Sequence, residues 1–405
     1  MGQPSAETIR LIERLVAFDT TSRNSNLDLI DFVEAHLKAI GVESTLTFDG
    51  RSQKANLLAT IGPHDRPGIV LSGHTDVVPV DGQNWDTDPF NVRESGGLLF
   101  GRGTCDMKSF IAVVLSRAEA IMRSRPKTPI HVALSYDEEV GCLGVPDLIA
   151  DLTRKGLQTL ACIVGEPTEM QVAVAHKGKA EIRCTVHGRE AHSSLVHKGA
   201  NAIEASAELI QKLKQMARRV HQEGPFDPEL EPSYTTMQTG TIAGGIATNI
   251  IPKLCQFEFE IRPLPGASAE PYIQEIEKFA ADVVAPDLQS TGEDAGISWQ
   301  TLSHFPALRT DRSHPVVALV SALGQTNRTC KLSFGTEAGL FSAAGIPTVV
   351  MGPGSIEQAH RPNEFISLEQ VSACELFIDQ LTERAAMDPR IGFPALLKVY
   401  DERGL

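Results

Sequence analysis

Two styles of hydrophobic patterning divide the chain. Through residue 177, apolar positions recur either at helical spacing or in short unbroken runs. Ile30, Val33, Leu37 and Ile40 mark one helix face, with Gly41 as its C-terminal cap. The runs NLLATIG, GIVLSG, HVALSY and ACIVG each end in glycine or polar residues, and the helical stretch MKSFIAVVLSRAEAIM lies among them. Continuous apolar runs separated by helices predict a largely parallel sheet covered on both faces.

From Lys179 the style changes. In KAEIRCTVHG, Ile182, Cys184 and Val186 alternate with Glu181, Arg183, Thr185 and His187, and QFEFEIR repeats the pattern with Phe257, Phe259 and Ile261. Period-two alternation predicts antiparallel strands with one wet face. Two amphipathic helices are interleaved, one through Ile203, Ala207 and Ile210, the other through Ile273, Ile276, Ala280 and Val283. The order strand, helix, strands, helix, strand fits a small α+β domain of the ferredoxin-like kind. After Phe305 the first style resumes and ends in the strand PTVVMG. The chain thus reads as an α/β domain over 1–178 and 304–405, with a second domain inserted at 179–303.

Composition narrows the field. No apolar run approaches the length that spans a membrane, and MGQPSAETIRLIERLV lacks the basic-then-apolar layout of an export signal, so a cytoplasmic protein is expected. A net charge of −14 argues against nucleic acid or an anionic membrane as the main partner. Seven scattered cysteines with no CxxC pair argue against a disulfide framework and a thiolate zinc knuckle.

The remaining signal is chemical. His74 and Asp76 follow GIVLSG two positions apart, on one face beyond the strand's apolar part. With 12 His and 51 acidic residues in 405, such a pair arises by chance about 1.5 times, so alone it carries little. Asp106 follows a Gly-rich turn in FGRGTCDMKS; Asp137, Glu138 and Glu139 end HVALSY; Glu166 follows ACIVG; His360 lies on the loop after PTVVMG. Singly, each has a bland reading as a helix cap, a solvated loop or a surface turn. Together they sit at strand carboxyl ends, where open α/β sheets bind ligands. Carboxylates crowded there need cations. Two His and several carboxylates suit a pair of divalent ions, zinc first, with cobalt or manganese as alternatives.

The motifs GHTDVVPVDGQNW, GRGTCDMKS, SYDEEVG, VGEPT and GPGSIEQAHRPNEF resemble the M20 family of dinuclear zinc amidohydrolases and peptidases, over nearly the whole chain. The resemblance implies a zinc-peptidase-like catalytic domain with an inserted lid domain that forms a homodimer. By it, Asp106 bridges two metals, His74 and Glu166 complete one site, and Glu139 and His360 complete the other. Asp76 orients His74, and Glu138 is the general base for a hydroxide held between the metals. From the inserted domain, His192 stabilises the oxyanion, in its own or the other subunit, while Asn249 and Arg262 bind the substrate carboxylate. AFDTTSRNSN, DGQNWDTDPF, GRGTCDMKSF and FGTEAG lean towards the branch acting on Nα-acetyl-L-ornithine. Succinyl-diaminopimelate, another N-acyl amino acid and a dipeptide are the rivals. Gly335, Thr336 and Glu337 are expected to line the substrate site, with Glu337 facing the ornithine ammonium. Ser109 stands where the family usually has Gly after DMK.

Overall fold

The computed structural model describes residues 2–290, 292 and 294–403. The chain forms two compact units. The larger runs to Ala175 and resumes over Leu308–Lys331 and from Thr336; the smaller comprises His176–Ala307 and Leu332–Gly335. In chain order the strands are β1 (Ser44–Phe48), β2 (Ala55–Ile61), β3 (Gly68–His74), β4 (Arg93–Ser95), β5 (Leu98–Phe100), β6 (Ile130–Ser135), β7 (Thr159–Pro167) and β8 (Val172–His176). The inserted segment supplies β9 (Lys179–His187), β10 (Thr236–Gly244), β11 (Leu254–Arg262) and β12 (Gly296–Phe305). The last segment adds β13 (Leu308–Arg309), β14 (Thr329–Leu332), β15 (Thr348–Gly352) and β16 (Phe365–Ser367).

In the larger unit nine strands form one mixed sheet in the order β1-β2-β6-β3-β7-β15-β8-β13, with β14 beside β8. Its centre, β6-β3-β7-β15, is parallel, and antiparallel pairs flank it at β1-β2, β2-β6 and β15-β8. β2, β3, β6 and β15 are buried at every residue, and β7 at every residue after Thr159. That burial is why they read as unbroken apolar runs. The helix Lys108–Arg123 packs on β2, β3 and β7, and Val145–Arg154 packs on β2 and β6. Fully buried side chains such as Leu57, Ile69, Val113 and Phe377 form the core, each stabilising the fold by about 1.5–3 kcal/mol. A separate small sheet joins β16, β5 and β4. No helix among the described residues is long and apolar enough to cross a membrane.

The smaller unit is a four-stranded antiparallel sheet ordered β10-β11-β9-β12, the pairing of a ferredoxin-like β-α-β-β-α-β chain. Ile182, Cys184, Val186, Phe257, Phe259 and Ile261 face its core. Both helices differ in detail from the sequence pattern. Ala202–Glu223 buries Ala205, Leu209, Leu213, Met216 and Val220, leaving Ile203 and Ile210 at the margin and Ala207 exposed. In the second, a π-helical turn at Ala280–Val284 inserts one residue, so Val284 is buried and Val283 exposed.

Candidate active site

Four adjacent parallel strands bring the candidate ligands together. β3 and β6 are in register with His74 opposite Ser135, and β7 runs parallel beside β3, so their carboxyl ends lie side by side. β3 therefore delivers His74, the loop after β6 delivers Glu138 and Glu139, and β7 delivers Glu166. The loop after β15 delivers His360. At strand spacings of about 4.8 Å these four ends span only ~14 Å. Asp106 enters from the turn before Lys108–Arg123, and its peptide bond to Met107 is cis. Close packing fixes two of these approaches. A Cβ at Gly165, next to Glu166, would lie 2.1 Å from the Phe110 ring, and one at Gly103 would lie 2.8 Å from Val77.

The two carboxylate oxygens of Asp106 face different partners. Oδ1 is 3.1 Å from His74 Nε2, which is also 3.6 Å from Glu166 Oε1. Oδ2 is 3.3 Å from His360 Nε2, which is 3.0 Å from Glu139 Oε2. Ligand atoms of His74, Asp106 and Glu139 lie within 4.8 Å of one another, as do those of His74, Glu138 and Glu166. His360 reaches its position with a left-handed backbone, φ +63°. That conformation is uncommon outside glycine and is typical of functional sites.

These residues fit divalent cations. The His74 Nδ1–H donates to the Asp76 main-chain carbonyl at 2.9 Å, which aims Nε2 at two carboxylates. That is the place a divalent cation would take from the proton that Nε2 otherwise shares with Asp106. Glu139 Oε1 is buried with no hydrogen-bond partner, an orphan that a metal would satisfy. Burial pushes Glu138 up to about 8, opposed by His74 and reinforced by Glu139 and Asp106. Burial likewise raises Glu166 well above the carboxylate range. Asp106 goes the other way: burial opposes its ionisation, but hydrogen bonds from His360 and His74 outweigh it and hold its carboxyl low. Hydrogen bonds to Asp106 and Glu139 push His360 up to about 10. The donors are nitrogen and oxygen only. Cys105 directs its thiol at the Ser355 carbonyl, 3.2 Å away.

Asp76 corrects the sequence reading in one respect. It holds the imidazole through its carbonyl, whereas its carboxylate Oδ1 is 3.7 Å from Nδ1. The carboxylate instead accepts the N–H groups of Glu138 and Glu139 at 3.1 and 3.3 Å, and the Ser22 hydroxyl at 2.7 Å. Its side chain therefore shapes the glutamate turn.

Glu337 and Thr336 are also corrected. Both are fully buried. The Glu337 carboxylate accepts hydrogen bonds from the hydroxyls of Ser72 and, at 2.7 Å, Ser135, so it joins β3 to β6. Thr336 Oγ1 accepts the Ala338 N–H. Gly335 is half-buried, and a Cβ there would meet the Phe305 ring at 2.2 Å. GTEAG is thus a structural turn. Glu337→Gln is expected to leave the ratio of kcat/KM for acetylornithine over neutral acetyl-amino acids within about threefold of the parent, because a buried side chain cannot pair with a substrate ammonium. A selective tenfold loss on acetylornithine would refute this.

In the smaller unit, His192 and Asn249 are neighbours: residues 192 and 250 form an antiparallel bridge, and Ser193 N–H donates to the Asn249 carbonyl at 3.1 Å. His192 Nδ1 accepts the Ser194 N–H, which leaves the proton on the exposed Nε2. Arg262 lies elsewhere, at the far end of β11, with Nε and Nη2 each 3.1 Å from the Glu260 carboxylate.

A buried strand-end cluster of this kind on this fold has known counterparts. The sequence profile of peptidase family M20/M25/M40 matches residues 70–384, and the chain belongs to that family. It is a metal-dependent amidohydrolase. Over 377 residues it is 35% identical to the acetylornithine deacetylase of Myxococcus xanthus, covering 90% of this chain and 93% of that protein. The M20 family metallo-carboxypeptidase of Sulfolobus solfataricus superposes with a TM-score of 0.72 at 18% identity, over 94% and 99% of the two chains. The YXEP protein of Bacillus subtilis, a dinuclear metal binding peptidase of the same family, superposes at 0.61 and 16% identity, over 94% and 98%.

Proposed function

We propose that the protein hydrolyses the amide of Nα-acetyl-L-ornithine to L-ornithine and acetate, a step of arginine biosynthesis, with two zinc ions as its native metals and cobalt as a substitute. The observation that carries the chemistry is Asp106, whose two oxygens face two separate donor sets, His74 with Glu166 and His360 with Glu139. A bound pair of divalent ions supplies Lewis-acid polarisation of the amide carbonyl and a water acidic enough to attack at neutral pH. Glu138 would take a proton from the attacking water and hand it to the departing amine. The turn that presents it is held by the Asp76 carboxylate. His192 donates from Nε2 to the developing oxyanion, and the Arg262 fork binds the substrate carboxylate. The choice of ornithine rests on the names of the relatives.

Arg262 lies eight residues along β11 from Leu254, roughly 27 Å from the end near His192 and Asn249. A one-residue substrate spans less than about 10 Å, so these groups serve different active sites. That separation supports a homodimer in which each copy lends His192 and Asn249 to the other. Mixing inactive His192→Ala and Arg262→Ala proteins, after dissociation and reassociation, is expected to restore one intact site per mixed dimer. Failure of the mixture to regain activity would remove the exchange.

The test of function is acetate release from Nα-acetyl-L-ornithine by chelator-stripped protein reloaded with zinc or cobalt, beside succinyl-diaminopimelate and several acetyl-amino acids. Metal-dependent turnover strongest on acetylornithine is the expected result. Stronger turnover on another substrate would keep the chemistry and overturn the substrate.

A further inference from the structure

Beside the donor cluster lies a buried ion pair that takes no part in it. Arg102 and Glu364 have side chains 1% and 0% exposed and are joined Nη1 to Oε2 at 2.6 Å. Burying such a pair adds little net stability over an apolar pair of the same volume, so its hydrogen bonds are the informative feature. Glu364 Oε1 accepts the main-chain N–H groups of Cys105 and Asp106 at 2.8 and 3.1 Å. One carboxylate thus grips the backbone at Asp106 itself. From the other side, Arg102 Nη2 donates to Gln83 Oε1 at 2.8 Å, and Gln83 Nε2 donates to the His360 carbonyl at 2.9 Å. Trp85 steadies this link: its Nε1 donates to Gln83 Oε1 at 3.1 Å, and its ring centroid is 5.2 Å from the Arg102 guanidinium carbon. The loop that carries His360 is tied down again where Gly101 N–H donates to the Glu364 carbonyl at 2.9 Å.

We propose that Glu364 is a positioning residue that, with Arg102 and Gln83, presets Asp106 and His360 for metal binding. The inference rests on reading the donor cluster as a metal centre. Asp106 and His360 belong to segments more than 250 residues apart in sequence, and His360 holds a left-handed backbone conformation that a non-glycine residue rarely adopts. The network fixes both against one buried carboxylate, so the ligand atoms are in place before an ion arrives. Groups that support metal ligands in this way typically govern metal affinity by about 10–100-fold.

The experiment compares stepwise zinc affinity, the visible spectrum on adding one and two equivalents of cobalt, and the unfolding midpoint of the stripped protein. It uses the parent, Glu364→Gln and Gln83→Leu. Gln83 is half-buried, and its replacement leaves the Arg102–Glu364 pair intact, so Gln83→Leu stays informative if Glu364→Gln misfolds. Gln83→Leu is expected to weaken one of the two zinc sites about 10–100-fold and to alter one cobalt spectrum, with the midpoint unchanged. Glu364→Gln is expected to weaken both sites, because Asp106 is common to them. Parent-like zinc affinities and cobalt spectra in Gln83→Leu would overturn the proposal, as would a lowered midpoint with parent-like affinity in Glu364→Gln. A parent protein that takes up neither zinc nor cobalt would instead overturn the metal reading, and the proposal with it.

Discussion

Replacing Glu138 with Gln is expected to lower turnover by about 10²–10⁴-fold, the range of a lost general base, while both metal ions stay bound. The side chain keeps its size, so the packing around Cys142, whose thiol is 3.3 Å from Glu138 Oε1, should survive. An amide cannot take a proton from water or return it to the amine, so kcat should fall while KM changes little. The geometry makes this experiment decisive, because Glu138 lies with His74 and Glu166 as closely as a ligand would. Metal content measured beside turnover separates the two roles. Full metal with parent-like turnover would remove Glu138 from the mechanism, and loss of an ion would make it a ligand.

The second large effect is expected at Asp106. Asparagine in its place offers one acceptor oxygen and one N–H₂ group, so one donor set would face a donor where it now faces a negative charge. Asp106→Asn should therefore lose affinity for both ions at once, by more than the ~10–100-fold that follows loss of a group merely supporting a ligand. Linkage supplies an independent readout. Zinc at a hundred times its dissociation constant stabilises the parent by about 2.7 kcal/mol, so the parent's unfolding midpoint should rise with zinc while the variant's should not. Retention of two ions with parent affinity would refute the shared role of Asp106.

Much of this candidate site was legible in the sequence because its acids and imidazoles sit where continuous apolar runs end. A buried parallel strand must stop at a polar residue, and in an open sheet those stops line one edge. His74, Glu166 and the Glu138–Glu139 pair are all of that kind. Glu337 looked similar but caps a turn whose carboxylate points inward at two serines on neighbouring strands, a pairing that no local pattern reports. The carboxylate of Asp76 was misread for a related reason: its neighbour in sequence is His74, yet its hydrogen bonds go to residues more than fifty positions away. Glu364 stands in HRPNEF, a motif that drew attention only for His360. Its partners are two main-chain N–H groups, which carry no side-chain signature, and Arg102, 262 positions away in the sequence. In the smaller unit, strand alternation survived into the structure unchanged, whereas the helix through Val283 did not, because one added residue in a turn rotates everything after it.

The strand order of the larger unit also dictates when the enzyme can be finished during synthesis. β8 begins five residues after β7 ends, yet the two are not neighbours: β15 lies between them. The residue pairs that close this gap, such as Thr348 with Cys162, join chain synthesised 186 residues apart. Until β15 is made the nascent sheet must hold open a slot one strand wide. The inserted unit, by contrast, is nearly complete by Phe305 and can fold while its host waits. Pairing across so long a stretch is slow and leaves strand edges exposed. A nascent chain arrested before Thr348 should therefore show a protease-resistant inserted unit within a protease-sensitive host, and equal resistance of both would contradict this order. His360 follows β15, so the candidate metal centre is completed only after the final central strand has arrived.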